Sequence, residues 1–174
     1  MPSYSNRIIR AAKLDVHLYE DVEADQSALG QAMGVVILAS LAAGIGNVVR
    51  IGTGGLLLGT LSALAGWYLW ALLIFLIGTK LLPQPQTRSN PGELLRTLGF
   101  ASAPGILRIF GLIPGLTRII FLIASLWMLT AMVIAVRQAL DYDSTLRAVG
   151  VCLIGWLIQV GLIAAVLALT GGVQ

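Results

Sequence analysis

The chain has 174 residues, 57% of them hydrophobic and 11% charged, where a soluble domain carries about 25% charged residues. A soluble protein of this size cannot cover that much apolar surface, so an ordinary soluble domain is excluded and lipid is the solvent for most of the chain. The net charge of +3 and pI near 9.4 do not point to nucleic acid, because the basic residues stand singly at the ends of apolar runs instead of forming one patch.

In chain order, MPSYSNRIIRAAKLDVHLYEDVEAD has neither an apolar core nor a small-residue cleavage site, so no cleaved signal peptide is expected. On a helical projection Arg7, Arg10 and Lys13 share an arc of about 120°, with Ile8, Ile9, Ala12, Val16 and Tyr19 roughly opposite. This predicts a short amphipathic helix within a cytoplasmic segment 1–27, lying on the membrane surface. A helix packed on the ends of the spans, or in a partner's groove, has the same pattern. His17, the single histidine, stands beside Asp15 and Glu20 and reads as a surface residue.

Residues 28–174 read as a membrane domain. Runs at about 29–49 and 53–79 are long enough to cross roughly 30 Å of hydrocarbon. The linker LLPQPQTRSNPG follows, and NPGELLRTLGF then starts a third helix: Asn90 as cap, Pro91 at the first helical position, Glu93 three after the cap. That helix is expected over 91–113, kinked at Pro104, with Pro114 and Gly115 forming a turn. Further spans are expected at 117–137 and 146–170. Arg118 and Arg137 lie about 28 Å apart along the fourth span, so each can snorkel to its own interface. In the link QALDYDST, Arg137 and Asp141 have the i, i+4 spacing of an ion pair, and Asp143 or Ser144 can cap the last helix. The expectation is an all-α integral membrane protein, a bundle of five transmembrane helices.

Five spans put the termini on opposite sides. Arg7, Arg10, Lys13, Lys80, Arg88, Arg96, Arg137 and Arg147 then share the N-terminal side, against Arg50, Arg118 and Arg108. The positive-inside rule makes the N-terminal side cytoplasmic. All eight acidic residues fall there too.

Catalysis within the membrane needs a nucleophile with a base, a carboxylate pair or a metal set. Apart from Glu93 at the cap, the spans contain no Asp, Glu, His or Lys, and Cys152 is the single cysteine, so neither an intrachain disulfide nor a cysteine zinc cluster can form. No catalytic residue, metal or cofactor is expected. Arg108, Gln159, Thr60, Ser40, Thr130 and Ser125 are the polar groups at depth; Gln159 reads as a cross-link between helices, and Arg108 as reaching the far interface or a neighbouring helix. Small-residue spacings at Gly55 and Gly59, continuing through Ala63 and Gly66, and at Gly111 and Gly115, predict close helix packing.

LRTLGFASAPGIL, GLIPGL, SLWMLTAMVIAVRQAL and STLRAVGVCLIGWL, in that order and preceded by LYEDVEADQSALGQA, resemble the Yip (Ypt-interacting protein) domain family, especially its short prokaryotic members. The resemblance covers nearly the whole chain. It implies five spans, a cytoplasmic N-terminus and a prokaryotic plasma (inner) membrane location, with Gly99, Phe100, Pro104 and Arg137 as shared structural determinants. For eukaryotic relatives it also implies Rab-type small GTPases and vesicle traffic; the absence here of a long N-terminal tail and an Asp-Leu-Tyr-Gly-Pro motif puts GTPase binding in doubt. The expected function is therefore non-enzymatic, through contacts with the lipid bilayer, other integral membrane proteins or a second copy of the chain, as a membrane-organising adaptor or accessory subunit. The alternative is a small transporter or channel subunit that uses the kinked third span and Arg108.

Overall fold

A computed structural model describes residues 3–47 and 55–171. The expected end of the first span, the start of the second and Arg50 lie outside these residues. Every element described is helical. Among the described residues four helices are long and apolar enough to cross a membrane: Gln26–Gly46, Leu56–Leu81, Thr117–Ala139 and Thr145–Leu162.

The N-terminal segment is two helices instead of one. Ser3 caps α1 (Tyr4–Ala12) by accepting from the Asn6 N–H. The helix ends in a Schellman turn: Leu14 N–H donates to Ala11 O, Asp15 N–H donates to Arg10 O, and Leu14 takes a left-handed φ of 61°. Asp15 then caps α2 (Val16–Ala24) through the His17 N–H. The break also corrects the expected amphipathic faces. Arg7 is 5% exposed, donating to Asp25 and Gln31, whereas Ile9 on the expected apolar side is 53% exposed.

Next come α3 (Leu29–Gly46) and α4 (Gly55–Leu76). The second of these widens into a π turn at Ile77–Leu81. There a Cβ on Gly78 would clash with Leu140, and the Tyr142 hydroxyl, 3.1 Å from Gly78 O and 2.8 Å from Leu82 O, serves carbonyls that the wider turn leaves short of partners.

The expected third helix is replaced by two pieces. The capping box of Asn90 and Glu93 starts α5 (Pro91–Phe100), which ends before a 3-10 helix at Ala103–Leu112. Pro104 has no N–H to give Phe100 O, four residues back, and its ring opposes an α-helical carbonyl there. The chain therefore tightens instead of kinking: Ser102 and Gly105 N–H groups bond three residues back, to Gly99 O and Ser102 O. This narrow segment runs parallel to α3 at close range. A Cβ on Gly99 would lie 2.7 Å from Ala32 Cβ, one on Gly105 3.1 Å from Ala39 Cβ, and one on Gly111 2.8 Å from Gly46 O. Ala32, Ala39 and Gly46 are seven residues apart, so the contact follows α3 for about 21 Å.

A turn with Pro114 and Gly115 at its centre (Gly115 φ +83°) closes with Leu116 N–H on Ile113 O and leads into α6 (Thr117–Ala139), followed by α7 (Thr145–Gly171). The second Schellman turn ends α6, with Asp141 N–H on Gln138 O, Tyr142 N–H on Arg137 O, and Asp141 at φ 52°. That turn removes the expected Arg137–Asp141 pair. Arg137 donates to Tyr142 O and Thr145 Oγ1 instead, and Asp141 accepts from the Arg88 N–H. Asp143 likewise turns to the linker, where its carboxylate accepts from Gln86.

The core is concentrated at one end. Tyr19, Leu18 and Val22 of α2 pack with Leu94 and Phe100 of α5, Ile74 of α4 and Leu140 beyond α6. Arg96, buried in this region, donates from Nε to Val22 O at 2.9 Å and from Nη2 to Glu23 O, meeting the last carbonyls of α2. Trp127 does the same for α1, with Nε1 2.8 Å from Ala12 O. Replacing Arg96 by Met leaves these carbonyls unpaired and should cost about 2 kcal/mol. Thermal unfolding in detergent, followed by circular dichroism, should show the loss, with trypsin cutting sooner in the α1–α2 link.

Candidate functional site

Away from that core the helices separate. On α7, Ala148, Val151, Cys152 and Gly155 are buried, but the described side chains beyond Gly155, except half-buried Gln159, are exposed. The diverging outer half leaves a chamber of about 920 Å³ among α3, α4, the 3-10 segment, α6 and α7. Its wall includes Leu129, Leu153 and Trp156, which are 52%, 56% and 57% exposed. The chamber therefore opens sideways, toward where lipid would stand.

The small-residue face of α4 forms one wall. Gly59 and Gly66, expected to pack closely, have open space where a Cβ would be. Gly66 and Ala63 line the large chamber, while Gly59 and Ala63 line a smaller cavity of about 300 Å³ that extends to Asn47 and Leu56. Gly111 does pack closely, against Gly46 and Phe121, whereas Gly115 serves the turn and Gly55 opens α4. Gly99, Phe100 and Pro104 are buried, Phe100 within the core itself, and none of them lines the chamber. Arg137, in the last turn of α6, and Asp141, in the α6–α7 link, are not part of the chamber wall.

Arg108 lines both cavities. Its main chain is anchored at the end of α3, because a Cβ on Gly46 would clash with Arg108 O. The side chain turns to α6, where Nη2 donates to Ser125 Oγ at 3.0 Å and the guanidinium carbon lies 5.5 Å from the centre of the Phe121 ring. Arg108 Nε is buried with no partner among the described residues. Trp70 Nε1, on a residue of the chamber wall, is in the same condition. By contrast Trp67 donates to Leu95 O. The three chamber tryptophans, Trp67, Trp70 and Trp156, were not distinguishable in sequence, since hydropathy does not show which side of a helix meets a void.

Titratable chemistry gathers elsewhere, around α1, α2 and the two links. Asp15 sits well below the usual carboxylate range because Arg10 donates to it at 2.7 Å. Glu23 is pushed up to about 7, chiefly by burial and then by the charges of Asp141 and Glu93, with Arg96 opposing. Among the described residues no group of three or more His, Cys, Asp or Glu could hold a metal. Comparison with protein-family models, with curated proteins and with solved structures finds no match for this chain.

The Glu23 shift has a definite sign. The folded chain holds this proton up to about pH 7, whereas an ordinary glutamate releases it near 4.5; the folded state binds more protons in that window, so stability falls as pH rises through it. Melting temperature in detergent should decrease from pH 5 to pH 8, and Glu23→Gln should flatten the slope. An equal slope in the variant would assign the dependence to another group.

Proposed function

We propose that the chain is a non-enzymatic integral membrane protein that acts through lipid and protein contacts, taking a lipid-like molecule into its laterally open chamber. The observation that carries this reading is the chamber, a volume within the range of ligand sites, walled by apolar side chains and open toward the bilayer. A membrane-organising adaptor or accessory subunit would use such a site to sense or hold lipid. The resemblance to the Yip domain family supports the organising role. The exposed leucines of α4, Leu57, Leu58, Leu61 and Leu69, offer a face to another membrane protein or a second copy.

The topology proposed with this function has five spans, an N-terminus in the cytoplasm and a location in a prokaryotic plasma membrane. In support of a fifth crossing, α5 and the 3-10 segment follow α3 through most of its depth; in support of the orientation, basic residues crowd one side. Purification in mild detergent followed by native mass spectrometry tests the lipid reading. Wild-type protein should retain lipid, and Gly66→Leu, which fills the chamber from an open position, should lose most of it while keeping its helicity. Recovery of lipid-free wild-type protein overturns the reading.

A second reading, a small transporter or channel subunit, is favoured by one observation: cavities lie on both sides of Arg108 and share it with Ser40 and Ala63. On the lipid-contact reading, wild type and Arg108→Leu in proteoliposomes should give the same background anion flux. Wild-type flux that Arg108→Leu abolishes would establish transport instead.

A further inference from the structure

We propose that Arg108 is the head-group site for an anionic amphiphile, an oxyanion carried on a long alkyl chain, with the oxyanion at the guanidinium and the chain in the large chamber. This rests on the lipid-contact reading and adds the class of ligand. Arginine keeps its charge under all ordinary conditions, and a charge removed from water needs a counter-charge and hydrogen bonds. Among the described residues nothing supplies a counter-charge. All eight carboxylates lie at positions 15–25, 93 and 141–143, and Arg108 has no ion pair among the described residues. Ser125 Oγ accepts one of its five N–H donors, and Nε stays unpartnered.

The side chain is also turned away from the near interface. Ser125 lies eight residues into α6, about 12 Å from its start, and the Arg108 main chain is held against Gly46, so the side chain points inward from the bundle end and does not snorkel outward. The two cavities that meet at Arg108 differ in character. The smaller one adds Asn47 to the Ser40 and Arg108 that both share, which gives a polar head further hydrogen-bonding groups; the larger one has Trp67, Trp70, Met128, Met132 and Leu153, as suits a chain. Its sideways opening admits a chain from the bilayer, which a free inorganic anion does not need. A carboxylate and a phosphate ester both supply the required chemistry.

The test uses the full chain in phosphatidylcholine nanodiscs and reads quenching of its tryptophans, three of which line the chamber. The probes are a fatty acid, its methyl ester and a phosphatidic acid, each brominated on the chain. At least one of the two acids should quench saturably at about tenfold lower concentration than the ester, the return on one charge-assisted contact. Arg108→Gln should erase that preference and Arg108→Lys should keep most of it. Inorganic phosphate should not displace the bound acid. Equal quenching by both acids and the ester in wild type, or an acid preference that survives in Arg108→Gln, overturns the head-group site and leaves the lipid reading standing. Displacement by inorganic phosphate overturns the amphiphile in favour of a free anion. No saturable quenching by any probe overturns both. The wild-type comparison of acids and ester decides even if Arg108→Gln does not fold.

Discussion

The close parallel contact between α3 and the segment 91–112 determines where the other elements can stand. It is made where Gly99, Gly105 and Gly111 meet Ala32, Ala39 and Gly46. The residues recur every six positions on one side and every seven on the other. Six residues of mixed α and 3-10 helix rise about 9–12 Å, and seven of α-helix about 10.5 Å, so the two ladders stay in step only because the chain tightens after Phe100. Pro104 enforces that tightening. A continuous α-helix would drift out of register with Gly46 and turn Arg108 away from α6.

From this contact follows an uneven distribution of packing. At the end where α2, α5 and the π turn meet, backbone groups that helix termini leave open are met by side chains from elsewhere: Arg96 for α2, Trp127 for α1, Tyr142 for the π turn. Each such contact joins elements distant in sequence, so this end is cross-linked by hydrogen bonds as well as filled by Tyr19, Phe100 and Leu140. The other end has the narrow 3-10 segment in place of a full helix, glycines facing open space on α4, and an α7 that is buried only as far as Gly155. The space that full-width helices would have occupied is the chamber.

Much of the architecture was legible in the sequence, because the long apolar runs and the Asn90, Pro91, Glu93 cap are local signals. Two helix ends were not. The Schellman turns at Leu14 and Asp141 lack the glycine that usually marks them, and so a single N-terminal helix and an Arg137–Asp141 pair were expected where the chain in fact turns. Arg7 was placed on the basic arc of a surface helix because its partners, Asp25 and Gln31, come into reach only after that first turn folds α1 back. The chamber was illegible for a different reason. Gly59, Ala63 and Gly66 form the same stripe whether they touch a neighbour or border a void, and that is settled by α7 and the 3-10 segment, not by α4.

Arg108 was conspicuous in sequence, but its direction was not. A long side chain near a bundle end ordinarily bends toward the headgroups, which relieves most of the cost of its charge. Here the main chain beneath it is wedged against Gly46, so the relief is sought inside, from one hydroxyl and one aromatic face. A cation over an aromatic ring contributes about 0.5–2 kcal/mol and a hydrogen bond to a neutral group about 1 kcal/mol, while desolvating a lone charge costs several. Arg108 is half-buried, so only part of that cost falls on it, and an anion at the guanidinium would offset what remains. Two cavities share Arg108, a small one that reaches Asn47 and a large one walled mostly by apolar side chains, and between them they provide the room for an anion that carries its own hydrocarbon.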